Sequence, residues 1–596
     1  MKLFLPQKGE RMKFKWAVLL LLFVVVTTIK AQTTQTAFRP PAVPLVTVDP
    51  YFSIWSFADH LTYDTTRHWT GSPMAMHSLV RVDGKSYRIM GDEPSDTTPA
   101  TQLNLRVLPT RTIYDFRASS IFVRLTFLAP DLPQQIDALS RPATCLIWDV
   151  HSLDGKRHNV EIYFDSSAEL VVNTPNEPVT WESENIPGLR TLRMGTAAQP
   201  VLGRAGDETR IDWGYLYVAA PSDESPHSTV QPTEKTIDEF ISNGQLNSPL
   251  DTHMPRAAGD HSPAIAFAFS LNAVGEQSVS RHLILAYDEI ASIEYFGKHL
   301  HPFWQRNGVT VSDMLQSAEK DFASLETRTE KFDQELMADL TRIGGEQYAD
   351  VSALAYRQAF AANTLALGAD GNPLMFLKEI SSCGCAQTAD VIYPESPLLL
   401  FVNPKLLEYS LAPLLDYAQS NQWPYFYAPH DLGTYPLDNG RDPAHMESMP
   451  VEETGNMLLM IAGIARAKGN ADFASRYWPL LTKWAEYLKA NGLDPGDQLC
   501  TDDFTGLLSH NANLSLKAIE ALGGYAMLAQ MLGKTSESAS VRQTAEQFAA
   551  KWMQMAGDNG HTRLAFDKPG TWSQKYNLAW DRVLGIHLFP ASLAQQ

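Results

Sequence analysis

The spacing of apolar residues along the chain changes once, just past its middle. In the first half, short apolar runs alternate with turn residues, as in His77–Val82 and Lys85–Met90, which flank an Asp-Gly turn. Period-two alternation interrupted by two-residue turns is typical of β-hairpins. The pattern therefore predicts an antiparallel β-sandwich over residues 91–306, with residues 32–90 as a segment that packs with it.

From residue 307 onward, apolar residues recur every three to four positions, which predicts α-helices. The predicted helices cover residues 314–343, 349–367, 404–419, 453–468, 473–490, 513–531, 536–555 and 575–587. Helix pairs joined by short loops form hairpins. We therefore expect residues 307–596 to fold as helical hairpins packed in a ring.

The first 31 residues differ from both halves. Lys13 and Lys15 precede an unbroken apolar run from Trp16 to Val26, and Ala31 follows. A basic start, a short apolar run and a small residue are the parts of a signal peptide. We therefore predict a signal peptide over residues 1–31 and a periplasmic or secreted protein. The run is too short for a comfortable bilayer span, so no membrane association is expected after cleavage.

The acidic composition narrows the range of partners. The formal net charge of the 596 residues is −19 at pH 7. An acidic surface repels nucleic acid and anionic lipid, and it favours solubility. We therefore expect a small-molecule substrate and no nucleic-acid partner.

Two polar loops in the helical half each lead into a helix and carry two adjacent carboxylates. The first pair is Glu452 and Glu453, and the second is Asp502 and Asp503. Acids at a helix start can simply stabilise the positive end of the helix dipole. Hydrolysis, however, needs one carboxylate as base or nucleophile and often a second as acid. Two such junctions facing one pocket would therefore suit a hydrolase.

These loops supply the candidate site residues. The catalytic candidates are Asp431, Glu452, Glu453, Asp502 and Asp503. The substrate-binding candidates are Lys378, His430, Arg441 and Asn511. An arginine or a lysine suits a substrate carboxylate. The sequence leaves open which carboxylate is the acid, which is the base, and whether the histidine is a base or a structural hydrogen-bonding group.

The four cysteines indicate no metal centre. Cys383 and Cys385 are too close in sequence for an unstrained bond to each other, so we expect free thiols or partners elsewhere. A zinc site needs further ligands at suitable spacing, and no pair of histidines supplies them. The sequence therefore predicts neither a metal site nor a cofactor.

Four motifs of the helical half resemble the glutaminase A family. They are FLKEISS at residues 376–382, YAPHDLGTYP at 427–436, MPVEETGNM at 449–457 and TDDF at 501–504. The resemblance extends to residues 44–55 and 68–71 near the start of the chain. It implies an N-terminal β domain followed by a six-helical-hairpin domain, an (α/α)6 toroid. It also implies an exported enzyme that hydrolyses L-glutamine to L-glutamate and ammonia.

Two alternatives stay open at this point. Rings of helical hairpins also host glycoside hydrolases, whose chemistry again uses two carboxylates. The second alternative is a non-catalytic protein that binds glycans through the β-sandwich. This alternative would leave the acidic pairs without a role. Because a six-hairpin ring needs twelve helices and the pattern predicts eight, we expect a toroid that is truncated at the C-terminus.

Overall fold

Strands fill the first half of the protein and helices the second in the computed structural model, which describes residues 38–441, 449–500 and 506–595. This order confirms the predicted β-rich region followed by a helical region. No helix within these ranges has the length and apolar character that a bilayer span requires. The predicted signal peptide lies outside the described residues, as do Asp502 and Asp503. Export and the truncation of the ring stay predictions.

Two large antiparallel sheets form the β-rich region. Its strands are β1 (Val43–Thr47), β2 (Ser53–Ser56), β3 (Arg67–His68), β4 (Met76–Val82), β5 (Lys85–Met90), β6 (Thr101–Val107), β7 (Arg111–Ala118), β8 (Ile121–Leu128), β9 (Ala143–Ser152), β10 (His158–Ser167), β11 (Pro178–Ile186), β12 (Leu189–Thr196), β13 (Tyr215–Pro221), β14 (His227–Pro232), β15 (Arg256–Ala257), β16 (Pro263–Val274), β17 (Val279–Asp288), β18 (Ile293–Tyr295) and β19 (Lys298–Leu300). One sheet has the strand order β14-β16-β10-β4-β5, and the other has the order β15-β11-β12-β13-β17-β9-β8-β7-β6. The segment before residue 91 therefore contributes two strands, β4 and β5, to a main sheet.

The core of the β-rich region lies between these sheets. Val80 and Ile162 from one sheet share a fully buried cluster with Val123 and Leu146 from the other. Successive side chains of a strand point to opposite faces, so the neighbouring Ile147 joins a second cluster on the outer face of the larger sheet. That sheet is therefore buried on both faces.

Helices make up most of the second half. The helices of the protein are α1 (Ile136–Leu139), α2 (Thr233–Asn243), α3 (Val311–Gly344), α4 (Glu346–Ala361), α5 (Ala389–Val402), α6 (Pro404–Gln419), α7 (Pro450–Lys468), α8 (Asp472–Arg476), α9 (Trp478–Asn491), α10 (Ala512–Met531), α11 (Thr535–Ala556) and α12 (Ala579–Leu584). Short strands among them are β20 (Asn363–Leu367), β21 (Pro373–Leu377), β22 (Leu437–Asp438), β23 (Gly557–Asp558) and β24 (His561–Thr562). Helices adjacent in the chain, such as α10 and α11, pack against each other.

The long helix α3 joins the two regions. Met314 and Leu315 near its start pack on the outer face of the nine-stranded sheet. Further along, the Asp333 carboxylate accepts hydrogen bonds from Arg111 Nε at 3.0 Å and from Thr110 Oγ1 at 2.7 Å. Both apolar packing and a buried ion pair therefore hold the helical region on the sheet.

Two elements depart from the sequence prediction because of prolines. Helix α5 contains Pro394 and Pro397, which argue against a helix. The Ser396 hydroxyl donates to the Tyr393 carbonyl at 2.7 Å, and this carbonyl lacks its usual helical donor because residue 397 is a proline. Conversely, the single helix predicted over residues 473–490 is two helices, since Pro479 lies in the first turn of α9 and begins a new one.

Candidate active site

Three segments of the helical region converge on one point. Asp390 lies in the first turn of α5, His430 lies in the loop that follows α6, and Glu453 lies in the first turn of α7. The Ala389 N–H donates to the His430 carbonyl at 2.8 Å, which fixes the loop beside the start of α5. The Ala428 N–H donates to Thr454 Oγ1 at 3.0 Å, which fixes the same loop beside the start of α7.

The β-rich region holds this loop from its other side. β22 pairs in parallel with β18, and the Glu294 N–H donates to the Pro436 carbonyl at 2.9 Å. Gly433 has φ of +127°, and a Cβ there would lie 2.6 Å from the Leu437 carbonyl oxygen. The turn after His430 therefore depends on a glycine, and the loop is braced by both regions of the protein.

Asp390, His430 and Glu453, which we call the His430 cluster, are close enough to act on one small molecule. One nitrogen or oxygen atom from each residue lies within 4.8 Å of the atoms of the other two. His430 Nε2 is 3.8 Å from Asp390 Oδ1. Glu453 is 1% exposed, whereas the side chains of His430 and Asp390 are 13% and 18% exposed. Solvent therefore reaches the cluster from the side of Asp390 and His430.

The surroundings of the cluster shift the proton affinities of all three groups. Burial, together with the charges of Asp390 and Glu452, raises the pKa of Glu453 well above its usual range. Burial also raises the pKa of Asp390 to about 6, although the charge of His430 opposes this. Burial lowers the pKa of His430, but its bond to Asp431 and the charges of Asp431 and Asp390 outweigh burial and raise it. Perturbed ionisable groups in contact with solvent are typical of functional sites.

Asp431 orients the imidazole of His430. Its Oδ2 lies 2.7 Å from His430 Nδ1, and its Oδ1 accepts the Gly433 N–H at 2.8 Å. Arg441 Nε is 3.2 Å from the same Oδ1. The carboxylate is thus held from three directions, and it fixes which ring nitrogen of His430 faces Asp390.

Glu452, the neighbour of Glu453, has a different environment. Its Oε1 forms a buried ion pair with Lys517 Nζ from α10. The same Nζ donates to Asn456 Oδ1 at 2.6 Å and lies 4.1 Å from the centre of the Tyr393 ring. We call Glu452, Lys517, Asn456 and Tyr393 the Lys517 network. Since Lys517 is fully buried, this network joins α5, α7 and α10 behind the His430 cluster.

The predicted substrate-binding residues lie at different places. Lys378 is buried, and its Nζ donates to the Gly206 carbonyl at 3.0 Å in the β-rich region. Asn511 is the N-cap of α10, and its Oδ1 accepts the Leu514 N–H at 3.0 Å. Arg441 contacts Asp431 next to the cluster. The structure thus brings Asp431, Glu452, Glu453, His430 and Arg441 together, but it places Lys378 and Asn511 in other contacts.

Two residues of the site escaped the sequence analysis. Asp390 was hidden because the prolines of α5 argued against a helix start there. Lys517 is a lysine within the apolar stretch of α10, where every residue from Ala512 to Ala526 is buried. A charged residue in such a helix needs a buried partner. That signal pointed to an ion pair, although it did not identify Glu452.

The expectation that Cys383 and Cys385 do not bond to each other is wrong. Their sulfur atoms form a disulfide, and their Cα atoms are 5.1 Å apart. Gly384 between them has φ of +63°, a left-handed conformation that brings the two residues within bonding range. Cys385 Sγ also accepts a hydrogen bond from Arg441 Nη2 at 2.8 Å, so the disulfide borders the candidate site.

Sequence comparisons match most of the chain. A family model described as "Glutaminase A six helical-hairpin domain" matches residues 345–596. Two models described as domains of unknown function, DUF5127 and DUF4964, match residues 110–339 and 17–100. Glutaminase A of Aspergillus oryzae is 29% identical over 582 residues, which cover 94% of this chain and 84% of that protein. The matches therefore agree along both regions of the fold.

Solved structures resemble the protein only distantly. A bacterial glucoamylase complexed with acarbose has a TM-score of 0.42 at 9% identity and covers 88% of this chain and 70% of its own. An α-mannosidase of family GH92 from Bacteroides thetaiotaomicron has a TM-score of 0.38 at 11% identity and covers 84% of this chain and 60% of its own.

Proposed function

Because the chain belongs to the glutaminase A family, we propose that it hydrolyses the side-chain amide of L-glutamine to L-glutamate and ammonia at the His430 cluster. The observation that carries this proposal is the convergence of Asp390, His430 and Glu453 within 4.8 Å. These are ionisable side chains from three separate segments, next to solvent and with shifted pKa values. Such convergence is what a hydrolytic site requires.

Amide hydrolysis makes two demands on the cluster. A water molecule must lose a proton as its oxygen bonds to the amide carbon, and the leaving nitrogen must gain a proton as the carbon–nitrogen bond breaks. The balance is one amide and one water consumed, and one carboxylic acid and one ammonia formed, whose proton transfer gives a carboxylate and an ammonium ion. A water held between the three side chains of the cluster lies within reach of groups that can take and return this proton.

Arg441 is suited to hold the amino-acid end of the substrate. Its side chain is 31% exposed, and it lies beside Asp431 at the edge of the cluster. A guanidinium recognises a carboxylate through charge-assisted hydrogen bonds. Binding the substrate carboxylate there would direct the side-chain amide towards Asp390 and His430.

The test is an assay of the purified protein on L-glutamine, with L-asparagine and a panel of oligosaccharides in parallel. We expect release of ammonia from L-glutamine, and the variant Asp390→Asn should lose activity by on the order of 100-fold or more. Glu395→Gln is a matched control, since Glu395 is a carboxylate of the same helix that accepts a hydrogen bond from Asn363 outside the cluster. Equal activity of Asp390→Asn and Glu395→Gln would move the chemistry away from the cluster.

Glycoside hydrolysis is the second candidate because of one distance. The nearest oxygens of Asp390 and Glu453 lie within 4.8 Å, and the two carboxyl groups of retaining glycosidases are about 5 Å apart. The oligosaccharide panel decides between the candidates. Release of a sugar without release of ammonia from L-glutamine would favour the glycosidase and exclude the glutaminase.

A further inference from the structure

One carboxylate oxygen of Asp390 and one of Glu453 are buried without a hydrogen-bond partner. Asp390 Oδ1 and Glu453 Oε1 both lack a partner among the residues that the structure describes. Glu453 is at the same time one of the most deeply buried carboxylates of the helical region. Buried polar atoms are nearly always paired, so an unpaired oxygen beside other ligating atoms marks a place where a water molecule or an ion can bind.

The charges around the cluster indicate that this ligand is a cation. Among the residues that the structure describes, Lys517 and Arg441 contact this group of acids, and they pair with Glu452 and Asp431. Neither pairs with Asp390 or Glu453. A carboxylate that is removed from water without a compensating charge is costly. A buried carboxylate avoids this cost by holding a proton, and a bound metal ion can take the place of that proton.

The imidazole of His430 is turned as a metal ligand would be. Asp431 takes the hydrogen bond of Nδ1 at 2.7 Å. In the neutral ring this leaves the lone pair on Nε2, which faces Asp390 Oδ1 at 3.8 Å. Histidines that bind metals commonly donate their other ring nitrogen to a carboxylate in this way, which fixes the tautomer and the ring orientation.

We propose that Asp390, His430 and Glu453 bind one divalent metal ion of the zinc class. Zinc is held by histidine nitrogen and carboxylate oxygen at about 2.0–2.2 Å, which places the ligand atoms roughly 3.4 Å apart in a tetrahedron. The 3.8 Å between His430 and Asp390 is close to this spacing. Calcium and magnesium prefer oxygen ligands only, so the imidazole favours zinc. Three protein ligands leave a fourth position for water, on the exposed side of the cluster.

A neighbouring group of possible ligands is a weaker candidate. Glu379, Cys383 and Cys385 also place ligand atoms within 4.8 Å of one another. The two cysteines are joined in a disulfide, however, and cannot bind a metal as thiolates. The ion is therefore expected in the His430 cluster.

Metal binding by this cluster does not depend on the proposed function. A role of the bound ion in activating the water that attacks the amide would rest on the proposed function. The test begins with the full chain after dialysis against a chelator. Zn²⁺ is added in a calorimetric titration, and bound metal is measured by elemental analysis after removal of free ion. We expect about one equivalent of zinc per chain, and Co²⁺ in its place should show the absorption of a tetrahedral site.

Matched variants locate the ion. Glu453→Gln and His430→Gln should each weaken zinc binding by on the order of 100-fold, whereas Glu395→Gln and Glu379→Gln should bind as the wild type does. His430 is partly exposed, so its variant carries the test even if Glu453→Gln does not fold. No zinc bound by the wild type, unchanged binding in His430→Gln, or binding lost in Glu379→Gln would each overturn the proposal.

Activity separates this inference from the proposed function. Zinc binding without hydrolysis of L-glutamine would contradict the function and leave the metal site standing. A protein that binds zinc when it is added, but is fully active after the chelator has removed the metal, would exclude a catalytic role for the ion. The proposed function would then still stand.

Discussion

Glu452 and Glu453 are neighbours in the chain and in the first turn of one helix, yet their surroundings differ completely. Both are 1% exposed. Glu452 faces Lys517 in a buried ion pair, while Glu453 faces Asp390 and His430 at the edge of solvent. Asn456, one turn further along, contacts both glutamates, since its Nδ2 donates to Glu453 Oε2 at 3.1 Å and to Glu452 Oε1 at 3.5 Å.

The difference shows how a helix start can serve structure and chemistry at once. The charge of Glu452 is compensated within the protein, so this residue stabilises the packing of α7 on α10. The charge of Glu453 has no such partner among the described residues, so it is available to a ligand or a proton. The Lys517 network thus fixes the packing of α5, α7 and α10, and the His430 cluster lies on the side of this packing that reaches solvent.

The largest effect should follow from removing Lys517. Lys517→Met removes the cation of the buried ion pair with Glu452, and breaking one side of a buried ion pair costs about 3–5 kcal/mol. We expect a corresponding fall in the free energy of unfolding measured in denaturant. The double variant Lys517→Met, Glu452→Gln should regain much of the loss, because it removes both charges. A single variant as stable as the wild type would show that Lys517 does not compensate Glu452.

A third carboxylate, Glu395, is partly buried and has an amide as its hydrogen-bond partner in place of a lysine. Glu395 in α5 accepts a hydrogen bond from Asn363 Nδ2 at 2.8 Å, and burial raises its pKa from 4.5 to about 8. Between pH 4.5 and pH 8 the folded protein keeps a proton on Glu395 that the unfolded chain releases. The contribution of Glu395 to the free energy of unfolding is therefore fully present below pH 4.5 and is lost as the pH rises through 8.

Glu395→Gln should therefore match the wild type in stability near pH 5 and exceed it by a few kcal/mol near pH 8. Denaturant unfolding of both proteins at several pH values measures this difference. The same offset at every pH would mean that Glu395 does not hold its proton in the folded state.

A smaller effect, on the affinity for zinc, should follow from weakening the hydrogen bond that orients His430. Asp431→Asn weakens the hydrogen bond that orients the ring, and loss of such a second contact typically lowers metal affinity by about 10–100-fold, roughly 1.4–2.7 kcal/mol. Titration with Zn²⁺ measures it. Because Asp431 also contacts Arg441, the control is Arg441→Gln, which keeps the bond to His430. If both variants weaken zinc binding equally, the orientation of His430 is not the cause.

The sequence predicted one side of the Glu452–Glu453 comparison better than the other. The helix start, the adjacent acids and the loop with His430 follow from local rules about prolines, dipoles and turns. Local rules do not show which of the two acids has its charge compensated by a lysine, because Lys517 is 65 residues away from Glu452 in the chain. Only the packing of α10 on α7 brings the two together.

Asp390 was missed for the opposite reason. The two prolines argued against its helix, but tertiary packing overrode them, because one face of α5 packs in the core of the helical region while both prolines lie on the exposed face. The disulfide between Cys383 and Cys385 was misjudged because the left-handed conformation of Gly384 is not evident from the spacing alone. Sequence patterns thus predict where chain segments begin and end more reliably than which side chains meet.

The smallest predicted effect concerns Gly455 of α7, which lies against the side chain of Lys517. A Cβ at this position would lie 2.9 Å from Lys517 Cγ, so the glycine lets the lysine stem lie against α7. Gly455→Ala gains about 0.5–1 kcal/mol of helix propensity, but crowding a packed interior costs typically 1–3 kcal/mol. We expect a net loss of about 1 kcal/mol in denaturant unfolding. Lys517→Ala removes the atom that clashes, so adding Gly455→Ala to it should cost nothing or stabilise. An equal loss in both backgrounds would mean that the glycine is needed for a reason other than Lys517.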